Sequence, residues 1–197
     1  MGQRGRKKGA NGEQSKALLL SIAADEFANS GFYETKISTI VKRAGLSQPT
    51  FYLYFSSKEE VFQELVGAFR SKLFDLAKDS RLDAGIEDDA LPERIAVGLV
   101  AIFTFFQENQ NLTRIGFFLS ADAEDIKIQL ADQITDNLLS EQQDGYFRHD
   151  LDMNIVAVSL VGIIERLTVI KLFNGLKEPE DLAREIVDLF LYGLQHR

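Results

Sequence analysis

An all-α chain of about nine helices is the fold class this sequence predicts, and three observations carry the prediction. Apolar residues recur at helical spacing along most of the 197 residues, only three prolines interrupt them, and no segment alternates apolar and polar residues over a useful length. Glycine-bearing or charged breaks divide the helical stretches. Their arrangement predicts an N-terminal three-helix unit with a helix-turn-helix, followed by a helical bundle.

Residues 1–12 are rich in Gly, Lys and Arg without apolar periodicity, and are expected to form a disordered basic arm. From Lys16 a stripe of Leu19, Ile22, Ala23 and Phe27 marks a first helix, which Gly31 ends. Thr35 is the expected N-cap of a second, short helix whose stripe is Ile37, Ile40, Val41 and Ala44. Gly45 breaks it, Leu46 anchors the turn, and Ser47 is the expected cap of a third helix, Gln48 to Phe55, where Pro49 is tolerated in the first turn. Ser57 and Glu60 have capping-box spacing and open a fourth helix with Phe62, Leu65, Val66, Phe69, Leu73 and Leu76 on one face. The charged stretch Asp79 to Ala90 reads as a linker. Beyond it the pattern predicts helices over Leu91 to Gln107, Leu112 to Ala121, Ala123 to Gln142, Asp152 to Phe173 and Glu180 to Leu194.

The net charge of −8 is unevenly placed. Residues 1–58 hold nine Lys/Arg against four Asp/Glu, while the rest of the chain holds 13 against 26. A basic end on an acidic body suits a chain that meets phosphates at one end only; solvated basic tails are the plain alternative for residues 1–12. The absence of cysteine excludes disulfides and thiolate metal sites. The apolar stretches Ile95 to Phe106 and Ile155 to Ile164 are shorter than the roughly 20 residues a membrane span needs. No export signal is read, so the expected location is the cytoplasm, without a membrane partner. Nucleophile elbows and glycine-rich phosphate loops are missing from the sequence, and no cofactor, metal site or catalytic residue is expected. His149 lies beside Asp150 and Asp152 in a turn that reads as solvated, and His196 as a frayed end.

Two short helices joined by a glycine-containing turn make a helix-turn-helix pattern. The first must pack inward, as Ile37, Ile40 and Val41 allow; the second must expose its N-terminal residues to base edges. Phe51 and Phe55, four apart, anchor that second helix, which leaves Gln48, Thr50 and Tyr52 outward. The run from Thr35 through Gly45-Leu46-Ser47-Gln48-Pro49-Thr50-Phe51-Tyr52-Leu53-Tyr54-Phe55 to Lys58 and Glu59 resembles the DNA-binding signature of TetR-family regulators, and the resemblance is dense from Ser15 to Leu65. It implies that Gln48, Pro49, Thr50 and Tyr52 face bases and that Thr35, Tyr54 and Lys58 face phosphates. Simple aromatic packing is the alternative for Tyr52 and Tyr54. It also implies domains at 13–58 (DNA binding) and 59–197 (effector binding and dimerisation), and a sequence-specific regulator, more commonly a repressor, released from a pseudo-palindromic double-stranded operator by a small effector.

Over the second half the resemblance is one of architecture. Phe103, Phe105, Phe106, Phe117 and Phe118 form an aromatic concentration that lines either an apolar pocket or a plain core. Arg114 between them meets either an anionic ligand head or a surface partner. Glu165 and Arg166 interrupt an apolar helix, so one of them is expected to pair internally or meet a ligand. Phe103, Phe106, Arg114, Phe117, Phe118 and Glu165 are therefore the candidate pocket set. The helix from Asp152 to Phe173 is apolar on more than one face; with the last helix it suits a four-helix bundle between two copies, through Ile163, Leu167, Ile186, Phe190 and Gly193. A helical binder or enzyme with a vestigial helix-turn-helix, or a nonspecific DNA-coating protein, is the rival reading.

Overall fold

The computed structural model describes the backbone of residues 8–194 and the side chains of residues 12–194. The expected arm residues Arg4, Arg6 and Lys7 and the terminal His196 lie outside the described residues, as does the side chain of Lys8. Among the described residues every regular element is helical: α1 (Lys8–Ser30), α2 (Ile37–Ala44), α3 (Gln48–Phe51), α4 (Lys58–Asp79), α5 (Leu91–Glu108), α6 (Gln110–Thr113), α7 (Ala123–Gln143), α8 (Met153–Leu167) and α9 (Pro179–Tyr192). Two π-helical turns, Arg114–Leu119 and Thr168–Leu172, follow α6 and α8. The first helix begins at Lys8 rather than Lys16, so residues 8–12, expected in the arm, are helical.

The chain forms two compact units. The first comprises residues up to Phe69 together with Asn111–Ala121; the second comprises Arg70–Gln110 and Asp122 onward. The division falls within α4, whose first turns bury Val61, Phe62, Leu65, Val66 and Phe69.

In the first unit, Phe27, Phe32 and Phe62 meet at centroid separations of 4.9 to 5.7 Å, within the range of favourable aromatic pairs. Gly31, at φ 82°, ends α1, and its amide donates to the Phe27 carbonyl at 3.0 Å. The segment expected as one helix over Leu112 to Ala121 widens instead into the π-turn. Its Gly116 lies directly on the Phe69 side chain, an approach that only a residue without Cβ permits.

In the second unit α5, with Leu99, Ile102, Phe103 and Phe106 buried, packs against α9, and α7 packs against α8. Asp152 caps α8, its Oδ1 accepting from the amides of Asn154 (2.9 Å) and Ile155 (3.4 Å). The expected helix to Phe173 turns π-helical at Thr168, whose hydroxyl donates back to the Ile164 carbonyl at 2.7 Å. The expected linker is tied down: the Tyr146 hydroxyl donates to the Asp83 carbonyl (2.8 Å) and accepts from the Ile86 amide (2.7 Å).

Candidate nucleic-acid interface

The helix-turn-helix is built from local signals that act as expected. Ile40 and Val41 bury the inner face of α2. Gly45 adopts φ 65°, its amide donates to Lys42 and that of Leu46 to Val41 (2.9 Å), closing the helix with a left-handed residue. Ser47 caps α3, its Oγ accepting from the Thr50 amide at 3.3 Å and meeting the Thr50 hydroxyl at 2.8 Å. The regular part of α3 is one turn, shorter than the expected Gln48 to Phe55. Successive amides of residues 53–55 still bond back to Thr50 and Phe51, so the chain keeps turning in the same sense.

Phe51 and Phe55 are fully enclosed and stand 5.5 Å apart. They hold α3 by one side and leave Ser47, Gln48, Pro49, Tyr52 and Leu53 exposed on the other, Tyr52 by 56%. Thr50 is half-buried beside its cap. Four residues expected to face bases thus lie together, three of them open to solvent.

The residues expected to face phosphates do not share that exposure. Thr35 is only 2% exposed and is not the cap of α2: its hydroxyl turns back to the Gly31 carbonyl at 2.7 Å, satisfying the end of α1, and Lys36 occupies the cap position. The Lys58 ammonium donates to three carbonyls of the α1–α2 connection, Phe32 (2.6 Å), Thr35 (2.9 Å) and Tyr33 (3.4 Å), and lies 4.4 Å from the Phe32 ring centroid. All three of its donors are used inside the fold. Tyr54 is half-buried, and its hydroxyl lies near Gly12 of α1. Arg43 is also engaged, donating to Asp25 (2.5 Å) and Glu26 (2.6 Å) of α1. These hydrogen bonds, first that of Glu26 and then that of Asp25, raise its already high pKa. Among the described residues of this region, Lys36 and Lys42 are the exposed cations with no ion pair, and Tyr33 is 90% exposed. Sequence reasoning singled out none of these three: a charge count does not say which cations are already paired, and Tyr33 carries no charge to count.

At the start of α4 the Glu60 amide bonds Ser57 Oγ (3.2 Å), while the Glu60 carboxylate accepts from the amide (2.5 Å) and hydroxyl (2.6 Å) of Ser56. The capping box therefore reaches one residue further back than its spacing predicts. The Ser56 hydroxyl and amide hold the Glu60 pKa below the usual carboxylate value. A depressed carboxylate stabilises the fold above its unfolded pKa, and that contribution is lost as pH falls through the lower folded value. Acidification below the ordinary Glu range is therefore expected to loosen the first turn of α4 before global unfolding. Amide-resonance titration of residues 56–60 checks this, and Glu60→Gln should remove the acid-dependent step.

The second unit contains two adjoining, partly open apolar pockets that share part of their walls, together a cavity of two chambers. One chamber, of about 110 Å³, is bounded by Met153, Val156, Ile186 and Phe190 among others. The other, of about 80 Å³, shares Ile95, Leu99, Leu138, Phe147 and Leu160 with it and adds Ser80, Asn137 and Glu141.

The match to the family model "Bacterial regulatory proteins, tetR family" spans residues 19–65, from α1 into α4. The HTH-type transcriptional regulator YdgC of Bacillus subtilis (strain 168) is 43% identical to this chain, the match covering 94% of this chain and 95% of that protein. This chain belongs to the TetR family. The HTH-type transcriptional repressor KstR2 of Mycobacterium tuberculosis (strain CDC 1551 / Oshkosh) is 31% identical over 70% of this chain and 72% of its own length. Among solved structures, FadR of Bacillus subtilis in complex with stearoyl-CoA superposes with a TM-score of 0.69 at 20% identity, covering 91% of this chain and 100% of that one. That likeness shows the fold: a helix-turn-helix unit and a helical body. The protein is a TetR-family DNA-binding transcriptional regulator.

The cavity of this TetR-family regulator is not lined by the residues sequence reasoning chose. Phe103 and Phe106 are enclosed in the second unit's core, where close packing leaves them no open face. Phe117 meets Phe69 in the first unit at 5.9 Å between tilted rings, Phe118 meets Phe117 edge-on, and Arg114 is exposed on the same segment. Glu165 pairs with Lys127 of α7 at 2.8 Å, and Arg166 is exposed, which answers the question of which charge turns inward. Burial works against the Lys127 charge, but Glu124 and Glu165 outweigh it and its pKa is raised.

Of the expected dimer residues, Ile186 is 3% exposed in the single chain and lines the cavity. Ile163 and Leu167 are half-buried, while Phe190 and Gly193 are exposed. The open face of α8 carries instead Ile155, Val158, Gly162 and Val169 of the following turn, at helical spacing.

Proposed function

We propose that this TetR-family regulator is a dimeric repressor that reads a two-fold symmetric operator with α3 and is released by a small, largely apolar effector. The observation that carries the reading is the side-by-side exposure of Gln48, Pro49 and Tyr52 on a helix whose other face is locked by Phe51 and Phe55. Gln pairs bidentately with adenine, and Pro or Tyr edges meet thymine methyl groups. Thr50 adds a hydroxyl that its cap already orients. Phosphate contact falls to Lys36, Lys42 and the Tyr33 hydroxyl, with Tyr54 at the edge of the set.

Dimerisation is supported by the apolar stripe of Ile155 and Val158 on α8 and Val169 of the π-turn after it, with Leu189 and Tyr192 on α9. Gly162 interrupts that stripe, and open space surrounds the position of its missing Cβ, which suits close approach of a second helix. A C2 dimer presents two α3 helices to half-sites about one helical turn apart. The named repressor among the relatives supports the sign of regulation, and DNA binding supports a cytoplasmic location. The effector enters the cavity of the second unit and acts by population shift, binding the DNA-free state better than the DNA-bound one. This is a binder's design, without a catalytic role.

The test is selection from genomic DNA fragments at about physiological salt. The native protein should enrich a palindromic site, and Gln48→Ala/Tyr52→Ala should enrich none. Enrichment of the same site by the double variant would overturn base reading through α3. Failure of the native protein to enrich any sequence, with turnover of an apolar compound, would favour an enzyme with a vestigial helix-turn-helix. Lys36→Ala/Lys42→Ala should weaken all sites alike and flatten the salt dependence by about one counterion per residue, measured as the slope of log affinity against log salt.

A further inference from the structure

The cavity of the second unit has one chemically distinct end. The larger chamber is walled by aliphatic and aromatic side chains throughout. The smaller one ends on Ser80, Asn137 and Glu141, and neither chamber is lined by a lysine, arginine or histidine. Two of the three polar groups are already committed. Ser80 Oγ donates to the Ala77 carbonyl at 2.7 Å. Asn137 donates to the same carbonyl at 2.8 Å and accepts from Gln133 at 3.1 Å.

Glu141 is different. It is 4% exposed, and its Oε1 accepts one hydrogen bond, from the Leu82 amide at 2.9 Å. No other hydrogen-bond donor among the described residues reaches the carboxylate. Arg81, which lies nearest in charge, is exposed, bonds Ser140 Oγ at 2.6 Å and is not part of the cavity wall. An ionised carboxylate offers about four acceptor positions, so the single Leu82 amide leaves positions open to a further donor. Burial shifts the Glu141 pKa upward, opposed by the Leu82 amide and by Arg81.

We propose that the effector of this cavity is an apolar molecule ending in a hydrogen-bond donor, a protonated amine or a hydroxyl, seated on Glu141, and that carboxylates are excluded. This rests on the reading of the cavity as the effector site and names the effector's chemical class. A donor completes the acceptor positions of a carboxylate on a residue only 4% exposed, where a charge-assisted bond is strong. A ligand carboxylate placed there sets two like charges together with no cation in the wall to separate them. The apolar body of the ligand fills the larger chamber. The class therefore differs from the acyl thioester held by the structural neighbour FadR.

The test compares matched eight-carbon probes by calorimetry on the full-length protein at pH 8: 1-octylamine, 1-octanol, octanoate and octanoyl-CoA. Octylamine is expected to bind at least about tenfold tighter than octanoate, with octanol between them, the step expected of one charge-assisted bond. Glu141→Gln keeps an oxygen for the Leu82 amide and should cost octylamine about tenfold while leaving octanol within about threefold. Leu99→Trp, which fills the shared waist of the two chambers, should abolish binding of every probe. Circular dichroism confirms that each variant is folded. Octanoate or octanoyl-CoA binding as tightly as octylamine, in a Leu99→Trp-sensitive manner, would overturn the proposed class and leave the cavity as effector site. No probe binding, or binding that Leu99→Trp does not alter, would overturn the cavity reading and the proposal with it.

Discussion

Gly116→Ala is expected to lower the stability of the first unit by about 1–3 kcal/mol or more, the range for overpacking a well-packed core. A Cβ at position 116 would stand 2.8 Å from the Cβ of Phe69 and closer still to its ring. Phe69 is fully enclosed and its ring packs at a tilt against Phe117, so it can yield only by displacing its neighbours. The added methyl must push the π-turn away from α4 or force Phe69 off its rotamer. Urea midpoints compared with native protein, together with faster amide exchange along residues 111–121, check the result. An unchanged midpoint would mean that the segment moves away without loss. The same segment supplies a control of opposite sign. Thr113 Oγ1 is buried without a hydrogen-bond partner, and Thr113→Val removes that hydroxyl while keeping the shape. It should stabilise by about 1 kcal/mol, the low end of what an unpaired buried hydroxyl costs.

Lys58→Met is expected to destabilise the first unit by about 1.5–3 kcal/mol, the contribution of hydrogen bonds to a charged group. The methionine stem still fills the space beside Phe32, so the loss isolates the ammonium. The carbonyls of Phe32, Tyr33 and Thr35 then need other donors, two of them in partly buried surroundings. Thermal unfolding and amide exchange over residues 31–36 read the effect. DNA binding separates this role from that of a phosphate-contacting lysine. If Lys58 holds the α1–α2 connection together, the salt slope of DNA affinity stays as in the native protein; if it meets a phosphate, the slope falls by about one. A flattened slope with unchanged stability would overturn the structural role.

Much of the fold could be read from neighbouring residues because the signals are local. Gly31 and Gly45 adopt the left-handed conformations their positions require, Ser47 and Asp152 cap the helices they precede, and Ile37, Ile40 and Val41 turn to one side. Each depends on residues within about one helical turn. One departure comes from a distant residue and another from a local rearrangement. The helix expected over Leu112 to Ala121 becomes a π-turn where Gly116 meets Phe69, 47 positions earlier in the chain. The capping box at Ser57 shifts its carboxylate to Ser56, a local rearrangement that spacing alone did not foretell.

The base-facing set and the effector set fared differently for the same reason. Gln48, Pro49 and Tyr52 are neighbours in sequence, and Phe51 and Phe55 between them settle which way they point. Thr35 and Lys58 are 23 positions apart, and both are drawn inward by carbonyls at the end of α1 and in the turn that follows. A phenylalanine cluster shows that apolar volume is present but not whether helices close over it. Phe103 and Phe106 became core, while the open volume formed among Leu138, Phe147, Leu160 and Ile186 from four different segments.

By itself, the sequence determined an all-helical chain, the position of its helix-turn-helix, the outward residues of α3 and the family to which they belong. Those properties follow from short-range periodicity, caps and glycines, whose energetics involve only adjacent turns. Tertiary structure alone decided which cations stay free at the candidate interface, that Glu165 answers Lys127, that Ile186 faces inward, and that Glu141 ends an apolar cavity. Such choices depend on which helix faces meet and how completely side chains fill the space between them. Many apolar residues of similar volume satisfy one helical stripe, so the stripe leaves the partner and the gap open until the helices pack.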